Sequence, residues 1–157
     1  IKNVIRTLGL RVSPKCIFFC VAERVEDEVN ILVIDKIIVP IALEIPDKLS
    51  FLRILLYTII NQYQIDHAIM RRIEDNSKTV DVTRTNIEGV IQELISNCRI
   101  QKYRTCKLVQ LGQLLEQEIK EIKTCVEGNN LYEIEEWDTY KKEERESVLC
   151  ALAASEL

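Results

Sequence analysis

The chain is 157 residues long, 47% apolar and 29% charged, the size and composition of one globular domain with a sizeable core. Four glycines and three prolines exclude collagen, low-complexity linkers and glycine-rich phosphate loops, and no apolar run approaches the ~20 residues of a membrane span, so no membrane association is expected. The net charge of −4 is uneven: residues 1–112 hold 16 Lys and Arg against 13 Asp and Glu (+3), and residues 113–157 hold 5 against 12 (−7), which excludes nonspecific wrapping of nucleic acid by bulk charge and leaves a local basic patch on the first part.

Val4–Leu10 is an apolar run, broken by Arg11, Val12, Ser13 and Pro14, and Lys15–Ala22 is a second run rich in strand formers. Glu23–Asn30 is polar and reads as a hairpin turn; Ile31–Ile41 is dense in Ile and Val and reads as a third strand, ended or edged by Pro40. The period then changes. Leu49, Leu52, Leu55, Leu56, Ile59, Ile60 and Tyr63 recur every three or four residues behind Pro46, which predicts an amphipathic helix. Phe51 and Ile54 widen its apolar face, as in a helix buried on two sides, by a second layer or a second subunit. Ile65–Ile73 predicts a fourth strand. Thr85 and Glu88 form a capping box ahead of a second helix carrying Ile87, Val90, Ile91, Leu94 and Ile95. Arg99–Cys106 predicts a fifth strand, Leu108–Ile122 a helix, Gly128–Asn130 a turn, and Trp137–Leu157 a last helix with Tyr140, Glu144, Val148, Leu149 and Leu152 near one stripe.

The order is β-β-β-α-β-α-β-α-α. Three antiparallel strands followed by alternating strands and helices predict an α/β fold, a mixed five-stranded sheet with helices on both faces, in a single domain over residues 1–157. The six cysteines include no Cys-x-x-Cys pair and no Cys/His cluster, so they read as reduced core thiols without a metal. With no signal-peptide pattern, the chain reads as cytoplasmic. His67, the single histidine, has no nucleophile motif beside it and reads as a structural residue. Lys102, Tyr103 and Arg104 interleave an aromatic with cations, as a base-stacking edge does, or form a solvated strand edge. Trp137 amid Glu133, Glu135, Glu136 and Asp138 reads as an anchor for the last helix, with the acids in water; the same acidic C-terminal part is a candidate surface for a protein partner.

This order is that of the ribonuclease H-like fold, and four motifs sharpen the likeness. Leu8-Gly9-Leu10-Arg11-Val12-Ser13 resembles the first-strand signature of RuvC-type Holliday-junction resolvases, in which an Asp follows Leu-Gly-Ile. Cys16–Ala22 resembles the second strand. Ile65–Arg72 resembles the fourth strand, which in that family ends in a catalytic Glu. Glu143–Ala153 is similar to the last-helix motif of two acids three apart followed by small apolar residues.

The resemblance implies phosphodiester hydrolysis by two divalent metals held on three or four convergent carboxylates. Carried over by position, the first-strand acid falls on Arg11 and the fourth-strand acid on Met70 or Arg71; Glu143 and Glu146 of the last helix stay acidic. Arginine cannot lose its proton and cannot ligate a cation. The resemblance therefore implies a catalytically degenerate RuvC-like protein acting as a non-catalytic nucleic-acid-associated or assembly component, without a cofactor. Arg11, Arg71 and Arg72, with Lys15 and Arg84 near, are the candidate phosphate contacts, to DNA or RNA. The same arginines could instead pair with Glu143 and Glu146 and plug a defunct site. Two alternatives stand beside this reading. One is an active nuclease dependent on Mg²⁺ or Mn²⁺ that uses Glu143, Glu146 and Glu74 or Asp75. The other is a pure protein-interaction module that binds through the first helix or the acidic C-terminal part. In the resolvase family the first helix lies near the dimer surface, which implies a homodimer.

Overall fold

The computed structural model describes residues 3–73 and 80–157. Strands β1 (Val4–Val12), β2 (Cys16–Val25) and β3 (Glu28–Ile38) form the antiparallel meander. Helix α1 (Ile45–Tyr63), β4 (His67–Arg71), α2 (Val82–Ser96) and β5 (Lys102–Cys106) follow, then α3 (Leu108–Leu115), α4 (Ile119–Val126) and α5 (Lys142–Ala154). The sheet order is β3-β2-β1-β4-β5, with β1–β4 and β4–β5 parallel. This is the mixed five-stranded α/β sheet that the element order predicts.

Several boundaries differ from the sequence reading, each for a local reason. The polar segment 23–30 extends both flanking strands and leaves a turn at Glu26 and Asp27, with Glu26 in the left-handed region (φ 58°), because its alternate residues keep pairing across β2 and β3. Helix α2 begins before the capping box: Asp81 is its N-cap, its Oδ1 accepting from the Arg84 amide at 2.9 Å, and Glu88 turns back to Arg84 one turn away. The helical run 108–122 divides where Glu116 adopts φ 56°. The last helix starts at Lys142, behind a 3₁₀ turn at Trp137–Thr139. Trp137 anchors it: its indole N–H donates to the Cys125 carbonyl at 3.1 Å. The Arg145 guanidinium binds the carbonyls of Val126, Trp137 and Asp138.

Two cores flank the sheet. Leu8, Leu10, Ile17, Phe19, Ala68 and Met70 face α1 and α2; Cys20, Ala22 and Ile69 face α3, α4 and α5. On β3 the pairing shifts between Ile31 and Val33, so Leu32 is an inserted bulge residue and is 43% exposed. All six cysteines are separate thiols, and Cys20, Cys106, Cys125 and Cys150 are buried. Helix α1 is covered on one side by the domain: Leu52, Leu56 and Ile60 are buried, whereas Phe51, Ile54 and Tyr57 stay exposed. Among the described residues, no helix is long and apolar enough to cross a membrane.

Candidate functional site at the ends of the central strands

Leu10 of β1 is opposite Met70 of β4 in parallel register. Side chains alternate between faces, so Leu10 and Met70 point into the α1–α2 core, and the next residues, Arg11 and Arg71, point to the opposite face. Two guanidiniums are thus placed side by side on neighbouring strands, where they repel unless an anion lies between them.

Helix α5 supplies that anion. Glu146 Oε2 accepts from Arg11 Nε at 2.5 Å, and Glu146 Oε1 accepts from Arg71 Nε at 3.3 Å, so each carboxylate oxygen takes one arginine. Arg11 Nη1 also donates to the Val12 carbonyl at 2.6 Å. The side chains are 16%, 5% and 10% exposed for Arg11, Arg71 and Glu146, so the triad lies largely out of water. At such burial an ion pair offsets a large desolvation cost, and each charge depends on the others being present.

The closeness of α5 to β1 sets this geometry. A Cβ on Gly9 would overlap the Ser147 carbonyl oxygen and the Ala151 nitrogen. The helix therefore lies backbone to backbone on the strand through a stripe of Ser147, Cys150, Ala151 and Ala154, all buried, and not on the bulkier stripe the sequence suggests. Strand side chains then satisfy the carbonyls at its C-terminal end: Thr7 Oγ1 donates to Ala151 at 2.8 Å, His67 Nδ1 bonds Ala154 at 3.2 Å, and Arg24 Nη1 donates to Ser155 at 2.9 Å. His67 is accordingly a buried structural histidine. Gly9→Ala is expected to cost about 1–3 kcal/mol or more, because backbone cannot move aside as a side chain can, with a matching fall in the urea midpoint at unchanged slope.

A second pair lies beside the triad. Arg84 Nε and Glu88 Oε1 are 3.6 Å apart on α2, and Glu88 also feels the charge of Arg11. Burial raises the Glu88 carboxyl above its ordinary 4.5, opposed by Arg84 and Arg11. A carboxyl raised in the folded state holds its proton more tightly there. Its stabilising contribution is therefore present below 4.5 and is lost as pH rises through the folded value. Glu88→Gln is expected to remove this loss, so that the variant gains on the wild type as pH rises above 4.5, read from melting temperatures across pH.

The structure thus brings together Arg11, Arg71 and Glu146, with Arg84 adjoining through Glu88. It does not bring in the others. Lys15 is exposed on the β1–β2 turn in a separate cleft, and Arg72 is exposed just past β4. Glu143, one turn before Glu146, is half-buried and takes part in no ion pair among the described residues. Glu74 and Asp75 lie outside the described residues. Tyr103 packs against the α1–α2 core with its hydroxyl buried, so Lys102, Tyr103 and Arg104 do not form a stacking edge. Glu88 and Gly9 were not singled out as functional from sequence. A lone glycine inside an apolar strand was the available signal for close backbone approach.

The two divalent metals that the resemblance implies do not suit this donor set. Among the described residues, one carboxylate, already holding two guanidiniums, faces the strand ends, and no three acids, histidines or cysteines converge as metal ligands.

No family model matches the sequence, and no curated protein matches it. Solved structures do match. RuvC of Thermus thermophilus is 9% identical with a TM-score of 0.75, over 97% of this chain and 94% of that one. The yeast mitochondrial Holliday junction resolvase Ydc2 is 17% identical with a TM-score of 0.60, over 97% and 78%. The Fowlpox virus resolvase is 11% identical with a TM-score of 0.52, over 95% of both chains. Together with the sheet order, these matches assign the chain a ribonuclease H-like fold of the RuvC type.

Proposed function

We propose that this chain is a non-catalytic, RuvC-fold protein that associates with nucleic acid, its metal centre replaced by the Arg11–Glu146–Arg71 triad. The observation that carries the reading is that Arg11 and Arg71, on neighbouring strand ends, both close on Glu146 of α5; the resemblance aligns Arg11 with the first-strand acid and Met70 or Arg71 with the fourth-strand one. Arginine keeps its proton and repels a divalent cation, so the triad favours an ion-paired plug over a metal site. Phosphate contact then falls to cations at the same end of the sheet that reach solvent, Arg72 and Lys15, with Arg11, Arg71 and Arg84 shaping the surface behind them. A nucleic-acid partner is supported by the neighbours: the Thermus RuvC and the Fowlpox resolvase were both solved with Holliday junction DNA. The exposed Phe51, Ile54 and Tyr57 of α1 support a homodimer as part of the same proposal.

The test incubates labelled four-way junction, duplex and single-stranded DNA and RNA with the protein in Mn²⁺, at low and then raised salt. The expected result is binding without cleavage, weakening as salt rises because contacts to phosphate release counterions. Cleavage that Glu146→Ala abolishes would overturn the reading in favour of an active metal-dependent nuclease. Failure to bind any nucleic acid would leave a protein-interaction module.

A further inference from the structure

A second concave surface shares only Lys15 with the phosphate contacts proposed above. The β1–β2 turn, the start of β2, the end of β3 and the first turn of α1 enclose a cleft of about 390 Å³. Cys16, Ile38, Val39, Ile41 and Pro14 supply its apolar lining, and Lys15, Lys36 and Lys48 its rim. The wall is held in place by the Val39 amide, which donates to the Lys15 carbonyl at 2.8 Å. Ile38 is 66% exposed and Ile41 is 96% exposed, so two large aliphatic side chains stand in water at its mouth. No acidic residue lines the cleft, and none of the three lysines makes an ion pair among the described residues.

We propose that this cleft docks an acidic peptide segment of a partner protein, with one apolar side chain of the peptide seated on Ile38, Val39 and Ile41 and its carboxylates met by Lys15, Lys36 and Lys48. Charge complementarity carries the choice of partner: three cations from three separate segments suit several carboxylates spaced along a chain. An apolar floor ringed by charge has the layout of an interface anchor, a desolvated centre inside a polar rim. Nucleic acid fits less well, because no aromatic ring or arginine plane lines the cleft to stack a base, and phosphates gain nothing from an aliphatic floor. The inference does not depend on the nucleic-acid reading above.

The test is selection from a displayed library of random peptides on the full chain, followed by fluorescence anisotropy with the enriched peptides. The expected result is enrichment of Asp- and Glu-rich sequences carrying a Leu, Ile or Phe anchor. Lys36→Glu and Ile38→Ser should each weaken their binding by about tenfold or more. Both sites are exposed, so these variants keep the fold. Lys120→Glu, the same charge change on exposed α4, should leave binding unchanged. Enrichment of basic or uncharged sequences overturns the proposal, as does peptide binding that survives both cleft variants. If the library yields nothing and the same variants lose nucleic-acid binding, the cleft belongs to nucleic acid and the proposal fails.

Discussion

Glu146→Gln is expected to destabilise the protein by about 3–5 kcal/mol, among the largest effects open to a single substitution. The carboxylate faces two arginines whose side chains are 16% and 5% exposed. Removing its charge leaves both guanidiniums beside one another on adjacent strands, with little water to screen them. For a chain of this size that loss lowers the melting temperature by about 6–20 °C. Replacing all three triad residues by methionine at once should recover most of the loss, since an apolar filling of similar volume removes the buried charges instead of orphaning one. The sign is the discriminating feature. Were Glu146 one of several clustered metal ligands, glutamine would relieve repulsion among acids and raise the stability of the metal-free protein. Thermal and urea unfolding of the single and triple variants decide between the two.

Arg11→Asp combined with Arg71→Glu is expected to make the fold dependent on a divalent cation. The substitutions place two new carboxylates beside Glu146, on strand positions that share one face of the sheet. Without metal these acids repel, and the double variant should melt well below the wild type. With Mn²⁺ it should recover, by about 2.7 kcal/mol when the metal is at a hundredfold its dissociation constant. The wild type should show no such gain, because its two arginines already neutralise Glu146. A manganese titration followed by thermal unfolding reads both proteins; an equal gain in the wild type would sink the ion-pair account.

Much of this arrangement is legible in the sequence. The change from strand to helical period near Pro46, and the alternation of strands and helices after it, suffice for the sheet and its helix layers, because burial of an apolar face dictates both periods. The pairing of Arg11 with Arg71 follows from placing two short motifs on neighbouring parallel strands. The partition of acids does not follow. Glu143 and Glu146 share a helical spacing and look equivalent in sequence; what separates them is the seating of α5 on Gly9, which aims Glu146 between the arginines and leaves Glu143 aside. Helix boundaries fail where capping wins over periodicity: Asp81 starts α2 four residues ahead of Thr85, and Glu116 in a left-handed conformation divides one helical run into two. The lysine-rimmed cleft was equally hidden, since its lining comes from segments that meet through tertiary contact.

The triad joins residues 135 positions apart, and α5 contacts β1, β2 and β4 together. Contacts of such long sequence separation form late, because loop closure must be met before they give any return. Until α5 docks, the face carrying Cys20, Ala22 and Ile69 lacks its main cover, and Arg11 and Arg71 lack the Glu146 carboxylate. Synthesis on the ribosome proceeds from the N-terminus, so the meander emerges well before the helix that completes it. The nascent chain therefore passes through a stage with a bare apolar surface and two arginines not yet capped by Glu146, a stage at which chaperones and polyanions in the cell can engage it and which closes when α5 seats on Gly9.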